Sequence, residues 1–185
     1  MKPTKSILIL LSLFLISNCG DKVREEITER YDNGQKKVLV KYKGEGSNEV
    51  VIVRISYFEN GETSKWTNYY RNGQIEVEEN YKDGKVDGKQ TSYFENGQIK
   101  EEVNFKDGIL NGNITQYYQN GQLESEVNFK DNKKNGKLIH YSETGEITLE
   151  GNFIMGDGKL IGYRNGKIIS ETNILNGEIV DTKRY

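Results

Sequence analysis

The chain contains no alanine, and its 185 residues include one cysteine, one proline, one histidine and one tryptophan. Without alanine, and with no apolar recurrence at helical spacing after residue 20, helix competes poorly. A genome rich in Ile, Lys, Asn and Tyr codons also depletes alanine, so the spacing carries more of that argument than the composition. The lone Cys19 excludes an intrachain disulfide, and the only proline is Pro3. The lone His140 has no Cys or Asp at a spacing that suggests a triad or a zinc site; a solvated or sheet-packed side chain is expected there. An excess of positive charge is missing too. Beyond residue 18 the chain keeps 24 basic and 28 acidic residues, a net charge of −4, which argues against nucleic acid and against attraction to anionic lipid.

What is abundant is Asn-Gly, which occurs nine times and is the strongest short signal for a β-hairpin. Taking the turn position as zero, Asn72, Asn96, Asn120, Thr144 and Asn165 follow one another at steps of 24, 24, 24 and 21 residues. Glu78, Glu102, Glu126, Glu150 and Glu171 stand at one fixed offset, and Asn80, Asn104, Asn128, Asn152 and Asn173 at another. Tyr81, Phe105, Phe129, Phe153 and Ile174 form an aromatic-rich column, and Tyr69, Tyr93, Tyr117 and Tyr141 a tyrosine column. Such a period marks a repeat architecture. The fold class expected is all-β: an elongated antiparallel β-meander of stacked hairpin repeats of ~24 residues. Asn-Gly is expected to form two-residue type I′ turns, and the segments "KDGKVDG", "KDGILNG" and "KDNKKNG" wider ones.

Alternation along a strand then sorts the side chains into two faces. One carries Ile99, Val103 and Phe105 with Phe94, and in the next repeat Leu123, Val127, Phe129 and Tyr118. The other carries Gln98, Lys100, Glu102 and Asn104 with Tyr93. Phe94 is expected opposite Ile99, and Thr91 opposite Glu102. The apolar stripe is read as the core of a curled sheet; in an open sheet it would need a partner or a second copy. About ten strands at ~4.8 Å each give a ribbon on the order of 50 Å long from residue 69 onward.

The candidate contact face comprises Tyr69, Tyr93, Tyr117 and Tyr141 with Glu78, Glu102, Glu126 and Glu150. Tyrosine suits strands, which accounts for the column structurally, and it is also favoured in binding surfaces because it is large and stiff. The glutamates lie ~10 Å apart in successive repeats, yet five equal carboxylates lack the single pair of unlike environments that a hydrolase needs. "DGKVDG" from Asp83 offers too few metal ligands, and Lys85 would oppose a cation. No catalytic residue, metal or cofactor is assigned, and the chain is expected not to be an enzyme.

The first residues form a separate segment. Lys2 and Lys5 precede the apolar run Ile7 to Ile16, which only Ser12 interrupts and which is too short to span a bilayer. "ISNCG" follows, and the whole resembles a bacterial lipoprotein signal. Ile16 and Ser17 match its usual box; Asn18 departs from it, where Gly or Ala is usual. The resemblance implies removal of residues 1–18 and lipidation of Cys19, holding the protein to a membrane outside the cytoplasm, in the periplasm or at the cell surface. Residues 19–30 are read as a tether, 31–68 as degenerate N-terminal β-repeats, and 69–185 as the repeat domain.

"YFENGQIKEEVNFKDGILNG" and "YYQNGQLESEVNFKDNKKNG" resemble the variant MORN repeat of bacteria, over about residues 57–177. Many proteins with this repeat are labelled YwqK-type antitoxins. The resemblance implies a twisted antiparallel sheet of hairpins that binds other molecules and brings no catalytic residues. The dense Gly-x-Gly and Trp pattern of the eukaryotic repeat is missing, which weakens the link to phospholipid. The expected role is a lipid-anchored extracytoplasmic module for a protein or polysaccharide partner; the alternative is an antitoxin or immunity protein that neutralises a cognate toxin.

Overall fold

The computed structural model describes residues 22–185, so the leader and Cys19 lie outside the described residues. Fifteen strands form one antiparallel sheet in which successive strands pair in sequence order, with one exception. They are β1 (Val23–Arg30), β2 (Lys36–Lys43), β3 (Val50–Tyr57), β4 (Thr63–Tyr69), β5 (Ile75–Lys82), β6 (Lys85–Val86), β7 (Gly88–Tyr93) and β8 (Ile99–Lys106). They continue as β9 (Ile109–Tyr117), β10 (Leu123–Lys130), β11 (Lys133–Tyr141), β12 (Ile147–Ile154), β13 (Asp157–Arg164), β14 (Lys167–Leu175) and β15 (Glu178–Arg184). The exception is the two-residue β6, which pairs only with β5, and β5 also pairs with β7. The all-β meander expected from the repeat is therefore the fold. Residues 23–30, expected as part of a tether, instead form β1, an integral edge strand. Its Arg24 bonds both Glu26 and Glu49, and Lys41 pairs with Glu25 at 2.7 Å.

The two turn types are the reverse of expectation. At Asn96-Gly97 the Gly97 amide donates to the Phe94 carbonyl at 2.8 Å, and the Phe94 amide to the Gln98 carbonyl at 2.8 Å. This is a three-residue loop, Glu95-Asn96-Gly97, in which only Gly97 has positive φ (+85°). Asn96 contributes its side chain instead, its Oδ1 accepting the Gln98 amide at 3.0 Å. The same bond recurs at Asn33, Asn60, Asn72 and Asn120. The two-residue I′ turns are elsewhere: Asp83-Gly84, Asp107-Gly108 and Asp131-Asn132, inside the segments read as wide, and Met155-Gly156 at the corresponding place in the next repeat have positive φ at both residues. Only the last two hairpins, at Asn165-Gly166 and Asn176-Gly177, match the expected assignment.

The three-residue loop shifts the register. Thr91 lies opposite Glu102 as expected, but Ile99 lies opposite Tyr93 rather than Phe94, and the shift falls between Ser92 and Tyr93. Lys100 is the extra residue, a β-bulge, and the same shift follows the loops at Asn72, Asn120 and Thr144. A bulge interrupts face alternation, so Ile99 moves to the tyrosine side, where it is 37% exposed. Lys100 moves to the other side and approaches the Phe94 ring.

Spacing also decides which edge of the ribbon holds which turn. Loops at Asn60 and Asn72 stand only 12 residues apart, so β4 has a three-residue loop at both ends. The two N-terminal loops of this type therefore lie on the ribbon edge opposite to those at Asn72, Asn96 and Asn120.

The sheet is one layer thick and open. No pairing joins β1 to β15, and among the described residues no second layer covers either face, so the stripe is not the core of a curled sheet. Burial comes from neighbours within the sheet. Val40, Thr67, Thr91 and Ile139 are buried on the tyrosine side, and Leu39, Ile55, Val103 and Phe153 on the apolar side. Thin repeat sheets of this kind hold together by nearest-neighbour contacts.

Gly112 tests the second irregularity of the repeat. It has φ +119°, and a Cβ there would lie 2.9 Å from the Asn104 Cβ. Gly145, with φ +82°, has nothing within 4 Å. Gly112→Ala is expected to lose about 1–3 kcal/mol and Gly145→Ala about 1 kcal/mol, measured by urea unfolding. Equal losses would contradict the crowding at Asn104.

Candidate binding surface

The tyrosine face is built from a row of directly opposed residues that crosses the sheet: Thr67, Glu78, Thr91, Glu102, Thr115, Glu126, Ile139 and Glu150. Threonine and glutamate alternate along it as far as Glu126, short beside long, and Ile139 takes the threonine position between Glu126 and Glu150. The structure thus brings the expected glutamate and tyrosine columns onto one face. Tyr69, Tyr93, Tyr117 and Tyr141 are all half-buried, at the strand ends beside this row.

Several glutamates of the column are tied to a lysine on the strand before or a tyrosine on the strand after, and Glu78 is tied to both. Lys65 pairs with Glu78, and the Tyr93 hydroxyl donates to Glu78 at 2.8 Å. The Lys65 ammonium, then the Tyr93 hydroxyl, hold the Glu78 carboxyl below the ordinary carboxylate range. Burial, then the neighbouring Glu78 charge, push the Tyr93 phenol up to about 12. Lys89 pairs with Glu102 at 2.8 Å and Lys159 with Glu171 at 2.7 Å. Tyr163 donates to Glu150. These bonds give most of the column a structural role.

The ladder has one gap. Asn113 stands where Lys65 and Lys89 stand in earlier repeats, and Glu126 is exposed with no ion pair among the described residues. The hydroxyls of Tyr69, Tyr117 and Tyr141 likewise make no hydrogen bond among the described residues. A shallow cleft of about 130 Å³ lies here, lined by Asn113, Glu126, Asn128, Lys137 and Ile139. On the other face, His140 bonds Thr148 through Nδ1 at 2.7 Å and lies 3.8 Å from Glu124, a sheet-packed position.

Two sets of bonds were not foreseen from sequence. Tyr31, Tyr70 and Tyr118, each just before a three-residue loop, donate to the carbonyls of Tyr57, Tyr93 and Tyr141 at 2.6, 2.7 and 2.7 Å. Each bond fastens one hairpin to the next. The only signal was the recurring aromatic at that offset, which Phe58 and Phe94 share without the hydroxyl. Asn80 and Asn104 donate to the carbonyls of Lys89 and Asn113 at 2.8 Å, bracing the chain beyond the glycines Gly88 and Gly112. That accounts for Asn80 and Asn104 of the asparagine column; Asn128 instead donates to Asn113 Oδ1 at 2.6 Å.

A single antiparallel sheet of hairpins with one face of recurring tyrosine and glutamate defines a β-repeat protein. Residues 62–83, 86–107 and 110–131 each match the MORN repeat variant. Each match runs from the first strand of a hairpin, through its three-residue loop, to the first residue of the following I′ turn. These three stretches, which together span residues 62–131, are similar to the MORN repeat variant. No curated protein matches it.

Two phenols, Tyr81 and Tyr93, are pushed up to about 12, chiefly by burial and then by Glu79 and Glu78. Their folded values exceed the unfolded value of about 10, so the stability they contribute is fully present below pH ~10 and is lost as pH rises through about 12. Phenolate absorbance is expected to show a late-titrating group that includes Tyr81 and Tyr93, coupled to base unfolding and smaller by one phenol in Tyr93→Phe. A Tyr93→Phe titration identical to that of the unaltered protein would contradict the Glu78 contact.

Proposed function

We propose that this protein is a lipid-anchored, extracytoplasmic binding module that holds a protein or polysaccharide partner on its tyrosine face and carries out no catalysis. The observation that carries this reading is the gap at Asn113. Elsewhere along the row several carboxylates are paired within the sheet; around Glu126 the carboxylate and the hydroxyls of Tyr117 and Tyr141 remain without partners among the described residues. Groups that the fold leaves unbonded on an otherwise self-paired face are free to bond a ligand. Stiff, half-buried aromatic rings beside them lose little entropy on contact. Cys19, four residues before the sheet begins at Val23, would hold the ribbon close to the membrane surface. An antitoxin would be the narrower case in which the protein partner is a toxin, and a toxin-like reading frame beside this one would support it.

The double variant Tyr117→Ala with Tyr141→Ala removes the two free hydroxyls and their rings. It is expected to keep the circular-dichroism signature of the sheet and to lose the partner that the unaltered protein retains in affinity capture from its own cells. Undiminished capture would contradict the proposed face. Separately, Cys19→Ala is expected to move the protein from the membrane fraction to the soluble one; continued sedimentation with membranes would contradict lipidation as the anchor.

A further inference from the structure

The two turn geometries treat the same Asn-Gly dipeptide in opposite ways, and this has a chemical consequence. In an Asn-Gly pair the glycine amide nitrogen can attack the Cγ carbon of the asparagine side chain. A nitrogen–carbon bond forms, the amide C–N bond breaks, and the proton from glycine leaves with the side-chain nitrogen as ammonia. Water then opens the cyclic imide at either carbonyl, giving aspartate or isoaspartate. Water is the only co-reactant, and nothing is oxidised or reduced.

In the three-residue loops both reacting groups are tied. Gly34, Gly61, Gly73, Gly97 and Gly121 each donate their amide to a carbonyl three residues back, at 2.8–2.9 Å. The asparagines before them accept a backbone amide through Oδ1 at 2.9–3.0 Å. The side-chain nitrogens of Asn72 and Asn96 also reach carbonyls of the next hairpin loop. In the I′ turns at Asn165-Gly166 and Asn176-Gly177 neither restraint is present among the described residues. Among them no hydrogen bond engages the Gly166 or Gly177 amide or either asparagine side chain, and all four residues are exposed. The remaining pairs, Asn111-Gly112 and Asn135-Gly136, lie inside β9 and β11, and the Asn135 Oδ1 accepts the Met155 amide at 3.2 Å.

We propose that Asn165 and Asn176 are sites of spontaneous deamidation, and that the bulged turn geometry protects the asparagines of the repeat loops. The two sites bracket β14, and Asn176 joins it to β15, every residue of which is exposed. The Asn176 backbone amide donates to Asp157 Oδ1 at 2.5 Å, so a new carboxylate there adds negative charge near an existing one. Isoaspartate would also lengthen the backbone of a turn that tolerates only two residues, releasing β15 from its ladder. The sheet would then shorten from its C-terminal end as the protein ages, while the matched repeats persist.

The test is to hold the full chain at mildly alkaline pH and map peptides over time by mass spectrometry, separating aspartate from isoaspartate. A parallel sample is kept in denaturant. In the folded protein, Asn165 and Asn176 are expected to convert about tenfold or more faster than Asn33, Asn60, Asn72, Asn96 and Asn120, because at those sites two hydrogen bonds must first break. In denaturant the contrast is expected to collapse. Conversion of Asn96 or Asn120 as fast as Asn165 and Asn176 in the folded chain would overturn the proposal. So would a contrast that survives unfolding, since it would then belong to sequence neighbours and not to the turns.

Discussion

Apart from the short β6, each strand of this protein is hydrogen-bonded only to the strands that flank it along one continuous ladder, and the rest of the structure depends on keeping that ladder in register. There is no second layer to hold a strand that slips. Register is therefore set where the chain reverses, by two devices used in turn. One is the two-residue Asp-Gly corner with positive φ at both positions, as at Asp107 and Gly108. The other is the three-residue loop in which the asparagine side chain takes over a backbone acceptor role, as at Asn96. Each is followed by a defined irregularity, Lys100 after the loop and Gly112 after the corner, which the sheet absorbs in every matched repeat.

Because a sheet of this thinness buries few side chains deeply, its polar groups have to be satisfied laterally. The Lys65–Glu78–Tyr93 contact does so across three strands, and Gln116 bonding Glu101 and Ser125 does the same on the other face. Tyrosine hydroxyls capping the carbonyls of the next hairpin add a link between repeats that backbone pairing alone does not supply. Under the proposed binding role, the positions that matter are those where this lateral pairing is left open, so Asn113, standing where lysine stands in earlier repeats, counts for more than the glutamate column as a whole.

Much of this was legible in the sequence. The repeat of 24 residues gave the meander, the glutamate and tyrosine columns fell on one face, and Thr91 lay opposite Glu102. The turn types were not legible, because Asn-Gly suits both a two-residue corner and a three-residue loop, and only the hydrogen bond from Gly97 to Phe94 separates them. From that one ambiguity came the misplacing of Ile99 and Lys100. Val23–Arg30 falls within the residues expected as a tether; its pairing depends on partners contributed by β2 and by Glu49, which local reading does not reveal. The gap at Glu126 became visible only once the structure showed that Lys65 and Lys89 are the partners of the preceding glutamates.

The pairing around Lys100 is the most direct test of the whole account. Nuclear magnetic resonance contacts between backbone protons across β7 and β8 should place Tyr93 opposite Ile99 and Ser92 opposite Glu101, with Lys100 left unpaired between them. Contacts that place Tyr93 opposite Lys100 and Phe94 opposite Ile99 would mean an uninterrupted ladder and a two-residue corner at Asn96-Gly97, and the faces described here would be wrong.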